Sequence, residues 1–120
     1  MNRQELARLG ETTACDYLAG AGFALRHRNW HCPGGEIDIV AEKAGGLVMV
    51  EVKTRSSMHY GAGEEAVTPR KLARIERCAW AYLGAHALLE QPWRVDVIAV
   101  DVDRQGRVTR LNHLEDVLQT

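Results

Sequence analysis

The sequence predicts an α/β fold of order αβββαβ, a mixed central sheet flanked by helices, with residues 1–120 as a single domain. Three observations carry that expectation. A helical apolar stripe opens the chain. Three β-prone runs follow with only tight turns between them, and a second amphipathic helix separates the third run from a fourth. At 120 residues, 46% hydrophobic and 26% charged, the chain has the size and composition of one globular domain.

The first segment, Arg3 to Ala21, reads as a helix. Asn2 can cap it, Leu6, Leu9, Gly10, Ala14, Tyr17, Leu18 and Ala21 fall on one side, and Gly20 and Gly22 supply the stop. Strands are expected at Phe23 to Trp30, Glu36 to Ala41 and Leu47 to Lys53, the last marked by the β-branched Val48, Val50 and Val52. Turn clusters at residues 31–35 and 43–46 make these an antiparallel meander. Residues 54–67 read as a long loop, which in a compact domain is commonly functional. Thr68 as cap and Pro69 at the first helical position start a second helix reaching to about Leu89. Its apolar side is Leu72, Ile75, Ala79, Tyr82, Leu83 and His86, with Arg70, Arg74 and Arg77 opposite. A fourth strand, Arg94 to Val102, should lie parallel to the third across this helix. Residues 107–111 suggest a fifth strand and residues 113–119 a short terminal helix.

Composition excludes several classes. No apolar run approaches the ~18 residues that span a membrane. Met1 to Gly10 has two arginines but no apolar stretch, so no secretory signal and a cytoplasmic location are expected. Cys15, Cys32 and Cys78 are odd in number and widely spaced, so neither a disulfide framework nor a four-ligand zinc site is expected. Net charge is -1, but residues 52–80 hold six positive charges against three negative ones, an excess that forms either a patch or a solvated helix face.

The chemistry concentrates in Gly35-Glu36-Ile37-Asp38-Ile39-Val40-Ala41 and Val48-Met49-Val50-Glu51-Val52-Lys53. Strand alternation puts Glu51 and Lys53 on one face, and an antiparallel hairpin brings Asp38 to the same side. Ions in such apolar company must be paired or metal-bound. Two carboxylates with the Val52 carbonyl are hard oxygen donors suited to Mg²⁺ or Mn²⁺, and a neighbouring ammonium suits phosphodiester hydrolysis. The competing explanation is an internal ion-pair network, with Glu51 and Lys53 bridging to each other or to Arg94 and Asp96.

Asp38 with Glu51-Val52-Lys53 resembles the PD-(D/E)xK signature of restriction-endonuclease-like nucleases. The Gly-Glu-Ile-Asp-Ile-Val-Ala and Val-Glu-Val-Lys-Thr-Arg strings more narrowly resemble the YraN family of small bacterial proteins. The resemblance runs from the Gly10-Glu11 helix to Arg94-Val95-Asp96-Val97, with Ile37 standing where the signature has proline. It implies a fold related to archaeal Holliday-junction resolvases and a metal-dependent nuclease acting on nucleic acid, DNA in particular, with branched or structured DNA as the expected substrate. Glu11, Asp38, Glu51 and Val52 would then hold the metal. Asp38, Glu51 and Lys53 would be catalytic. Lys71 matches a lysine of the family pattern and could reach a phosphate, with a snorkelling flank lysine as the alternative. Arg55, which follows the catalytic strand, is a second candidate for nucleic-acid contact. Glu36 has no assigned role. His59 and Tyr60 sit in the long loop, and Trp30, Trp80 and Trp93 read as packing residues. One site per chain makes a homodimer the route to cutting both strands. Two alternatives stand beside this reading: a non-catalytic nucleic-acid-binding module, and a protein-interaction domain.

Overall fold

The computed structural model describes residues 1–56 and 68–118. The order is α1 (Arg3–Gly20), β1 (Ala24–Cys32), β2 (Gly35–Lys43), β3 (Gly46–Ser56), α2 (Pro69–Ala85), β4 (Trp93–Val102) and β5 (Val108–Leu114). Among the described residues, five strands form one sheet in sequence order, parallel only between β3 and β4. The expected αβββαβ core is therefore present, with the suspected fifth strand on its edge. His59 and Tyr60 lie outside the described residues.

Local signals explain the helix starts. Asn2 accepts from the Glu5 N–H while the Glu5 carboxylate accepts from the Asn2 N–H, a reciprocal capping box. The Thr68 hydroxyl accepts from the Lys71 N–H, with Pro69 just inside the helix. The two helices then cover opposite faces of the sheet. Ala14, Cys15 and Leu18 of α1 pack on Ile39, Ala41, Val48, Val50, Ile98 and Val100. Ile75, Cys78, Ala79, Tyr82 and Leu83 of α2 pack on Ile37, Val40, Leu47, Met49 and Val95. Sandwiched this way, β3 and β4 read as near-continuous apolar runs.

Four expectations need correction. β3 extends to Ser56, three residues into the expected loop, because its parallel ladder with β4 runs on to Ser56↔Val102. α2 stops at Ala85, where His86 and the left-handed Ala87 turn the chain. His113 and Leu114 belong to β5, and no helix forms over residues 113–118. Cys32 and Cys78 are joined by a disulfide: the β1–β2 turn comes against the middle of α2, leaving their Cα atoms 5.9 Å apart despite 46 residues of separation.

The buried charge of β4 is also settled. Asp96 is fully buried and accepts a two-pronged fork from Arg94 at 3.0 and 3.2 Å and the Asp116 N–H at 2.9 Å, with His113 Nε2 at 2.7 Å. A buried carboxylate is tolerated only with such a full set of partners.

α1 crosses β3 so closely that Gly10 leaves no room for a side chain. An added Cβ would sit 1.8 Å from Thr54 Oγ1 and 2.9 Å from Thr54 Cβ. Gly10→Ala should therefore destabilise the fold by about 1–3 kcal/mol, the usual range for overpacking. Thr54→Ala in the same chain should recover part of the loss, checked by denaturant unfolding of the two single variants and the double variant.

Candidate metal and phosphate site

The site begins where a ladder ends. β2 and β3 pair from Lys43↔Gly46 to Ile39↔Val50 and no further. Beyond that point β2 stays with β1, down to Cys32↔Gly35, and β3 stays with β4. The next N–H of β3 facing β2, that of Val52, donates instead to Asp38 Oδ2 at 2.8 Å. A strand residue turns its N–H and C=O to the same side. The Val52 carbonyl therefore faces the same opening.

Asp38 is 7% exposed and within hydrogen-bonding reach of Glu51. Burial first, and then the Glu51 charge, push the Asp38 carboxyl up to about 8, against the lowering effect of the Val52 N–H. Burial also raises Glu51, although its hydrogen bond with Asp38 and the Lys71 and Lys53 ammoniums oppose it. Lys53 is lowered, by burial first and then by the Lys71 ammonium beside it. Desolvation thus outweighs pairing for all three groups, and each is shifted toward its neutral form.

Both helices reach this opening. From α2, the Lys71 ammonium comes close enough to that of Lys53 to disfavour its charge, so the flank lysine of the sequence reading belongs to the cluster. From α1, Glu11 acts on Asp38 but only as a minor electrostatic influence. Its carboxylate accepts from Asn29 Nδ2 at 3.1 Å and lies 3.9 Å from Arg28. Asn29 was not foreseen. It has φ 50° within β1, a backbone state that asparagine tolerates better than most residues, and that conformation accompanies its contact with Glu11. Among the described residues no three His, Cys, Asp or Glu side chains already converge as a metal cluster. The donors gathered at the opening are the Asp38–Glu51 pair and the Val52 carbonyl.

Other candidates sort plainly. Arg55 makes a bidentate pair with the buried Asp101, its register partner on β4, at 2.9 and 3.1 Å. Its fork is thus engaged inside the molecule. Glu36 lies near enough to raise both Asp38 and Glu51, and its own contact is His31 at 3.3 Å. Arg94 and Asp96 pair with each other, and Asp96 is opposite Val50, on the face away from Glu51. The proposed bridge from Glu51 and Lys53 to that pair is not formed. A cavity of about 890 Å³ adjoins the cluster, lined by Glu11, Glu51 to Ser56, the start of α1 and the β4–β5 turn.

Fold and site together define an αβββαβ protein with two carboxylates and a lysine at the fork of its central antiparallel pair. The chain belongs to the family described as uncharacterised protein family UPF0102, which it matches over residues 10–100. The YraN resemblance is thereby borne out, since the two descriptions denote one family. It is 44% identical over 108 residues to a UPF0102 protein of Moorella thermoacetica, covering 90% of each chain. It is 45% identical over 119 residues to one of Mycolicibacterium smegmatis, covering 98% of this chain and 95% of that one. Every candidate site residue falls inside the matched segment. Among the described residues no helix is long and apolar enough to cross a membrane.

The Asp38 environment sets a pH dependence. Its carboxyl keeps its proton to about 8 when folded but releases it near the ordinary 3.8 when unfolded. The folded state binds more protons between those values, so the contribution of Asp38 to stability is present below the lower value and lost as pH rises through the upper one. Asp38→Asn keeps an acceptor for the Val52 N–H and removes the ionisation. In metal-free solution it should be more stable than the wild type at about pH 9 and lose less stability between about pH 5 and about pH 9. Denaturant unfolding at both pH values checks this, and identical pH dependence in the two proteins would contradict it.

Proposed function

We propose that this protein is a metal-assisted nuclease that hydrolyses a nucleic-acid phosphodiester bond, with DNA as the expected substrate, at the fork between β2 and β3. The observation that carries the reading is the pair of adjacent, desolvated carboxylates, Asp38 and Glu51, raised in spite of two nearby lysines. A structural ion pair would be arranged to favour its charged forms. Two adjacent buried carboxylates call for a compensating positive charge, which a divalent cation would supply.

The donor set fits Mg²⁺ or Mn²⁺: two carboxylates and the Val52 carbonyl are hard oxygen ligands, and such ions keep several positions for water and phosphate. Glu11 would be the further ligand from α1, once turned from Asn29. When bound, the ion supplies a Lewis acid for the phosphoryl oxygen and a water of lowered pKa. Lys53 stands beside the pair to hold the attacking water or stabilise charge growing on the phosphoryl oxygens. Lys71, next to it, offers a second cation for the neighbouring phosphate, as a point charge on a flexible stem. Arg55 anchors the end of β3 to β4 through Asp101, which keeps the Glu51–Lys53 strand in register. One such site cuts one strand, so cutting both strands would require two copies or two encounters.

The test is cleavage of duplex, gapped, flapped and four-way DNA with Mg²⁺ or Mn²⁺. Glu51→Ala and Lys53→Ala should each reduce the rate by at least about 10²-fold, the scale for losing one preorganised charge-stabilising group. Only Glu51→Ala should also strongly weaken metal binding. Cleavage that survives both substitutions would overturn the reading.

A further inference from the structure

On α2, Lys71, Arg74, Arg77 and Trp80 follow one another at intervals of three residues. Residues so spaced form one oblique row on the surface of a helix, with neighbouring Cβ atoms ~5–6 Å apart. The row begins in the site, where Lys71 meets Lys53. The Arg74 stem lies against Gly35, at the start of β2, where an added Cβ would be 3.1 Å from Arg74 Cγ and Cδ. Arg77 is exposed on the outer face. Trp80 ends the row at 48% exposure, its ring held edge-on by Trp93 at 5.3 Å. Nine steps along the helix separate the two ends, an axial rise of about 14 Å with a half-turn around the helix.

Arg74 and Arg77 pair with no carboxylate among the described residues. Glu76, the one acidic residue of α2, lies off the row, one turn from Trp80. The row is therefore a line of cations with an indole at its far end, complementary to a polyanion that carries flat apolar faces. We infer that it is the track for a single-stranded segment of the substrate. Phosphates lie on Arg74 and Arg77, and an unpaired base stacks on Trp80, while the scissile bond sits at Lys53. A paired base has its faces covered by its neighbours, so the indole selects an unpaired strand over an intact duplex. This deepens the nuclease reading and rests on it for the placement of the scissile bond.

The test is binding without metal, in EDTA, of a fluorescent single-stranded DNA of ~12 nucleotides, a length within the usual site sizes of single-strand binders. The same length of blunt duplex is the comparison. The single strand should bind more tightly and quench tryptophan fluorescence. Trp80→Ala should weaken binding about ten-fold, and Trp80→Phe should restore most of it, because stacking needs only an aromatic face. Arg74→Ala with Arg77→Ala should make the plot of log affinity against log salt shallower by about 1.4, from ~0.7 per lost phosphate contact. All of these side chains are exposed or partly so, and unchanged thermal unfolding verifies each variant. Wild-type affinity in Trp80→Ala, equal affinity for duplex and single strand, or no binding by the wild type would overturn the track. Because no metal is present, the two proposals fail separately. Absent cleavage with this binding pattern intact would sink only the nuclease. Cleavage with binding indifferent to Trp80 would sink only the track.

Discussion

The structure turns on one hydrogen bond, from the Val52 N–H to the Asp38 carboxylate. An antiparallel pair that stopped at Ile39↔Val50 would ordinarily leave a buried donor on β3 without a partner, at a cost of about 1–3 kcal/mol. The Asp38 side chain replaces the missing strand at that point. It lets β2 swing away with β1 while β3 continues beside β4, and it does so with the group that the proposed chemistry needs. The same substitution brings a carboxylate into the core next to a second one. The fork and the strained electrostatics of the cluster therefore share a cause.

The two-faced sheet explains why the cluster can be served from both layers. β3 is central, packed by α1 on one side and α2 on the other. Its odd-numbered residues, Glu51, Lys53 and Arg55, alternate with the even-numbered Val50, Val52 and Thr54. Glu51 and Lys53 of the first set meet Lys71 from α2, and the second set underlies α1, where Gly10 permits the approach that brings Glu11 near the fork. A change at Gly10 would disturb that approach without touching any charged group.

Much of this was legible in the residues. The β-branched run of β3, the Thr68-Pro69 start of α2 and the tight turns of the meander each use local chemistry, and each appears in the structure at its expected place. The convergence of Asp38, Glu51 and Lys53 followed from alternation and one hairpin. What escaped depends on packing between distant segments. The Asp101 partner of Arg55 lies 46 residues away and is set by the parallel register. The Cys32–Cys78 bond needs the β1–β2 turn to rest on α2. The approach of Lys71 to Lys53 depends on the roll of α2, which its apolar stripe fixes only to within a flank. The contact between Asn29 and Glu11 involves a left-handed residue inside a strand, which composition does not announce.

The central claim is that Asp38 and Glu51 form a live metal centre rather than a structural pair. Calorimetric titration of Mn²⁺ into the wild type and Asp38→Ala, with folding verified by circular dichroism, tests it without knowledge of the substrate. The account predicts one binding site per chain in the wild type and none in the folded variant. Absence of binding at millimolar Mn²⁺, or equal binding by the two proteins, would contradict it.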